Sequence, residues 1–147
     1  QGWPEALLMI GDKVVTDSPP AVRYPYQIDL GEVWHEWTGL PFVYAMWMCR
    51  ASESTDLRIR SAAALLDRQL RHNLTRLDWV ISTKAPQHRW PEDLARLYIG
   101  KLLRYVVGDR ERQAVARFLH EAAELNLIPR VSPGWVELSE GNQRMEA

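Results

Sequence analysis

The sequence predicts an α/β fold with a helix-rich C-terminal half, on three observations. Ala6-Leu7-Leu8-Met9-Ile10 is a short unbroken apolar run stopped by Gly11-Asp12, the pattern of a central parallel strand ending at a residue free to take unusual dihedrals. Phe42 to Met48 is a second such run, entered through the turn Thr38-Gly39-Leu40-Pro41. From Asp56 onward the apolar residues recur every three or four positions, which is a helix period.

A chain of 147 residues suits one domain with a real core. Hydrophobic residues at 46% and charged residues at 25% are a globular balance. A net charge of −1 provides no field to draw the chain toward nucleic acid or an anionic membrane. The longest apolar run, Leu40 to Cys49, is far too short for a bilayer span. The first residues lack the basic-then-apolar pattern of an export signal, so the expected location is cytoplasmic, without nucleic-acid or membrane partners. Cys49 is the sole cysteine, which excludes an internal disulfide and the cysteine-based zinc patterns. Because it closes an apolar run, Cys49 is read as a small buried hydrophobe.

Taken in order, Lys13-Val14-Val15 either extends the first strand or begins another element. Residues 16 to 26, with Pro19, Pro20 and Pro25, form an extended surface loop. Asp29 starts a short helix, lying three residues before Glu32 in a capping-box spacing. That helix turns Val33, Trp34 and Trp37 inward and ends at Gly39, after which Pro41 prevents resumption. Leu66, Leu70, Leu74, Leu77 and Ile81 make one stripe on a single long helix, with Arg58, Arg60, Arg68, Arg71 and Arg76 decorating it elsewhere. Asp56, Asp67 and Asp78 interrupt those arginines, which favours a solvated face over an RNA-binding one.

Residues 85 to 91 are a linker with two prolines, and Pro91-Glu92-Asp93 opens a helix carrying Leu94, Leu97, Tyr98, Leu102, Tyr105 and Val106. Gly108-Asp109 breaks it and caps a third helix, packed through Val115, Phe118, Leu119, Ala122 and Leu125 and ending near Asn126. Trp135 to Leu138 reads as a small terminal strand, and residues 139–147 as a frayed polar tail. Two or three strands do not make a covered parallel sheet. The expectation is therefore a part of something larger, or a chain that completes itself as a homodimer or with a further N-terminal portion.

At Ala6–Asp12 and Asp29–Trp47 the chain resembles the menaquinone-biosynthesis enzymes of the futalosine route, most closely the chorismate dehydratase branch. The residues that carry the resemblance are Ala6-Leu-Leu-Met-Ile-Gly-Asp12 and Asp29-Leu-Gly-Glu-Val-Trp-His-Glu-Trp-Thr-Gly-Leu-Pro-Phe-Val-Tyr-Ala-Met-Trp47. A sister branch carries a His-Glu pair where this chain has Gly11-Asp12, so the glycine favours the dehydratase. The resemblance implies a two-lobed fold of the type II periplasmic-binding-protein kind. On that plan residues 1–40 are a remnant of the second lobe and residues 41–138 the C-terminal part of the first. It also implies a lyase that converts chorismate to 3-[(1-carboxyvinyl)oxy]benzoate without metal or redox cofactor, incomplete as this chain alone. The runner-up is a non-catalytic small-acid binding module of the same fold.

The resemblance makes Asp12 the catalytic candidate, accepting a hydrogen bond from a ligand hydroxyl or orienting one; by position alone it equally caps the turn. Gly11 lets backbone approach the ligand, or simply makes that turn. Thr38 and Gly39 present a hydroxyl and N–H groups to a carboxylate, or cap the helix, and Leu40 and Pro41 form an apolar wall. The ligand's own side-chain carboxylate is an alternative base. His35, His72, His88 and His120 show no metal-ligand spacing and read as surface residues.

Overall fold

In the computed structural model residues 4–136 are described, and every regular element among them is helical. The elements are α1 (Lys13–Thr16), α2 (Leu30–Thr38), α3 (Leu57–Thr75), α4 (Leu77–Lys84), α5 (Glu92–Leu97) and α6 (Asp109–Glu124). Single 3₁₀ turns form at Ala51–Glu53 and Pro86–His88, and α5 runs on into a π turn over Tyr98–Leu102.

The caps explain where helices begin and end. The Asp29 carboxylate accepts the N–H groups of Gly31 and Glu32 at 2.8 and 3.0 Å, satisfying two donors that the first turn leaves without partners. Gly39 takes φ 68° and closes α2. Asp56 receives the Arg58 N–H at 2.8 Å and starts α3. At the other end of the chain, the Gly108 N–H donates to Glu111 Oε2 at 2.9 Å and starts α6. Asn126, at φ 56°, terminates the last turn.

Several expectations need correction. The described residues contain no strand, so they do not display the α/β layering. Ala6–Ile10 and Phe42–Met48 are non-helical, and neither has a ladder partner among the described residues. A strand exists only by pairing, and a short apolar run does not itself say whether a partner is present. The first run is largely exposed, Ile10 at 74%; in the second, Phe42, Val43 and Met46 are half-buried while Trp47 is 83% exposed. Cys49 is likewise exposed rather than buried.

The single long helix is two helices, because Arg76 leaves the helical region at φ −123° between Thr75 and Leu77. Of the three α2 residues expected inside, only Trp34 is buried; Val33 and Trp37 are exposed. Tyr105 and Val106 lie beyond the π turn, outside any helix. Trp135 and Val136 are not strand, while Glu137, Leu138 and the tail 139–147 lie outside the described residues.

The chain divides into two compact units. The first comprises residues up to Val33 with Asn73–Val106, and the second comprises Trp34–His72 with the residues from Val107 onward. The first is organised on Ile81, Ala85 and Ala95, against which Leu77 and Trp90 pack. The second contains a cluster of edge-to-face rings, with Trp34 at 5.7 Å from Phe118 and 6.1 Å from Phe42 by ring centroid.

Candidate functional site

In the first unit the chain turns at Gly11, whose φ of 69° suits glycine and not other residues. Asp12 follows, immediately before α1. Its Oδ1 accepts the indole N–H of Trp90 at 3.0 Å, and its Oδ2 lies 3.4 Å from Nδ1 of His88. An indole N–H can only donate, so the carboxylate is the acceptor on that side. Facing the other oxygen, an imidazole nitrogen makes a favourable contact only when it carries hydrogen.

The segment that brings His88 and Trp90 to one carboxylate is tightly built. The His88 N–H and the Trp90 N–H both donate to the Ala85 carbonyl, at 3.1 and 2.9 Å. Between them Arg89 takes φ 58°, a left-handed conformation uncommon for a residue with a side chain. Its guanidinium lies 3.8 Å from Asp17. Trp90 is further held against Tyr98, with ring centroids 5.4 Å apart, and against the Ile81 cluster. The indole is thus fixed by packing before it meets Asp12, while the Asp12 and His88 side chains stay 58% and 59% exposed.

In the second unit the turn after α2 is cross-tied. The Thr38 hydroxyl donates to the Trp34 carbonyl at 2.7 Å and accepts the Leu40 N–H at 3.1 Å. The Gly39 N–H donates to the His35 backbone carbonyl at 2.8 Å, and the Gly39 carbonyl accepts from Arg110. His35 Nδ1 lies 3.1 Å from the Leu40 carbonyl, so that nitrogen bears the hydrogen, and the Trp34 indole donates to the Pro41 carbonyl at 3.1 Å. The donors of Thr38, Gly39 and Leu40 are therefore engaged within the turn. Beyond it, Phe42, Tyr44, Met46, Trp34, Ala114 and Phe118 line part of a cavity of about 450 Å³, within the size range of small-molecule sites and apolar in character.

Gly11 and Asp12 thus belong to the first unit, and Thr38, Gly39, Leu40 and Pro41 to the second. His88 lies at the surface as the sequence predicts, its side chain 59% exposed, but nothing in the sequence pattern places it and Trp90 against Asp12. A signal was there, since a short loop bounded by Pro86 and Pro91 carries a histidine, an arginine and a tryptophan, and such loops often hold functional groups. Among the described residues no three His, Cys, Asp or Glu side chains cluster as a metal site, and no helix is long and apolar enough to cross a membrane.

A family model described as menaquinone biosynthesis matches residues 1–124. The match runs to the end of α6 and includes both Asp12 and the Thr38–Pro41 turn. No solved structure matches the chain.

Proposed function

Because this chain belongs to the menaquinone-biosynthesis family, we propose that it is a chorismate dehydratase-like lyase of the futalosine route, converting chorismate to 3-[(1-carboxyvinyl)oxy]benzoate. The reaction removes a ring proton and the neighbouring hydroxyl, and the ring becomes aromatic. So favourable a product leaves the protein two tasks, holding the dianion in one pose and handling one proton. On this reading Ala6–Ile10 and Phe42–Met48 are strands of a two-lobed, periplasmic-binding-protein-like fold, with Gly11-Asp12 and Thr38–Pro41 as its ligand-facing turns.

The observation that carries the proposal is the Asp12 constellation within the family match. A carboxylate between an indole N–H and an imidazole is an organised polar site, more than a turn cap requires. The Thr38–Pro41 turn supports the reading differently: its internal hydrogen bonds pre-shape an apolar edge formed by Leu40 and Pro41, and a pre-shaped edge loses little entropy on binding.

The test is incubation of the full-length protein that carries this chain with chorismate, and chromatographic detection of the aromatic product. Conversion by the wild type, with Asp12→Asn lowering turnover about 100-fold at an unchanged melting temperature, is the expected result. Saturable quenching of tryptophan emission by chorismate without product identifies a binding module instead. The absence of both turnover and quenching would overturn the proposal.

A further inference from the structure

We propose that Trp90 is a positioning residue of this site: its indole N–H holds the Asp12 carboxylate in the orientation that receives a ligand hydroxyl. The inference rests on the dehydratase reading above and deepens it by naming the group that aims the carboxylate. The indole donates to Oδ1 of Asp12 at 3.0 Å across 78 positions of sequence. An exposed carboxylate otherwise turns about its side-chain bonds, and a group that must meet a substrate in one pose gains from having that geometry chosen beforehand. A hydrogen bond to a charged acceptor is strong enough to choose it. With Oδ1 occupied, Oδ2 is the oxygen left for a ligand. It lies 3.4 Å from the exposed His88 ring, at ion-pair rather than hydrogen-bond distance, and so stays open to an incoming hydroxyl.

Two observations argue against an incidental contact. Asp12 stands at the N-terminus of α1, yet its side chain makes no capping hydrogen bond to that helix. The carboxylate is committed to Trp90 instead, which the ordinary use of an aspartate at a helix start does not explain. The indole is also braced from behind. Trp90 is half-buried, its backbone N–H donates to the Ala85 carbonyl at 2.9 Å, and its ring packs on the Ile81 cluster and lies 5.4 Å from the Tyr98 ring by centroid. Tyr98 opens the π turn of α5, and π turns are frequent at functional sites. Gly100 seats that turn closely on α4, since an added Cβ would lie 3.3 Å from Cδ2 of Leu77. The core of the first unit therefore reaches the Asp12 oxygen through one rigid side chain.

Packing and aiming are separable at this position. Phenylalanine fills much of the same space against Tyr98 and Ile81 but carries no donor, whereas an indole N–H only donates. Trp90 touches no reacting atom on this reading and acts through Asp12. Its N–H therefore has nothing to aim once the carboxylate is gone, and the two residues are coupled in their effect on turnover.

Two measurements on the full-length protein that carries this chain test this. In the first, kcat and KM for chorismate are compared for wild type, Trp90→Phe, Asp12→Ala and the double variant, with circular dichroism to establish folding. A fall of about tenfold in kcat for Trp90→Phe, with KM nearly unchanged and no further fall when it is added to Asp12→Ala, is expected. A folded Trp90→Phe within about twofold of wild type overturns the proposal and leaves the dehydratase reading standing. Equal falls in both backgrounds make Trp90 a packing residue that acts independently of Asp12, and overturn it as well. In the second, NMR follows hydrogen exchange of the Trp90 indole N–H in wild type and Asp12→Ala, a comparison that does not need the Trp90 variant to fold. Exchange about tenfold faster in Asp12→Ala is expected; an unchanged rate removes the hydrogen bond and the proposal with it. A wild type without turnover sinks the dehydratase reading and the role of Trp90 in turnover together, a result distinct from an active wild type matched by Trp90→Phe.

Discussion

Gly39 shows how much one backbone angle organises. At φ 68° it ends α2, lets Thr38 close on both Trp34 and Leu40, and aims its carbonyl at Arg110. An added Cβ would meet nothing within 4 Å, so the cost of Gly39→Ala is backbone strain alone, about 1–2 kcal/mol. Urea denaturation followed by tryptophan emission should show that loss; an unchanged midpoint would mean the left-handed angle is not required. This position was legible in the sequence because a glycine after a helix and two residues before a proline has few other uses. The Asp12 site was legible only by half. Its carboxylate stood out at the end of an apolar run, whereas His88 and Trp90 reach it across more than 70 residues, and no local pattern encodes such a pairing.

Helix boundaries were readable wherever a side chain satisfies the first backbone donors. Asp29 was identified as a cap from its spacing to Glu32, and Asp56 works in the same way. Hydrogen bonds from the Arg58 side chain and amide hold the Asp56 carboxyl below its ordinary value of 3.8. The unfolded chain then binds the extra proton, so stability from this group is complete above about pH 4 and is lost as pH falls through the depressed folded value. Asp56→Asn keeps a capping oxygen and removes the charge. It should therefore lower the urea midpoint at pH 6 and make no difference at a pH low enough to protonate the wild-type carboxyl; equal midpoints at both pH values would refute the linkage. The break at Arg76 was not readable, since the leucine stripe continues across it at helical spacing. Periodicity reports which residues share a face and is blind to a single residue that leaves the helix.

Across the whole molecule, burial is concentrated in few places. Ile81 is 1% exposed at the centre of the first unit, so Ile81→Ala should cost about 2–5 kcal/mol. Trp47→Ala, at a side chain 83% exposed, should stay within about 0.5 kcal/mol; comparable losses for the two variants would mean that Trp47 is packed. The amino-acid sequence by itself determined the family, the caps, the Gly39 turn and the apolar segments, because each rests on residues within a few positions of one another. Only the tertiary structure decided that Ala6–Ile10 and Phe42–Met48 form no strand ladder among the described residues, that one leucine stripe becomes two helices, and that Asp12 meets His88 and Trp90. Strand pairing, burial and the meeting of distant side chains depend on which segments the folded chain brings side by side, and nearest-neighbour chemistry holds no record of that.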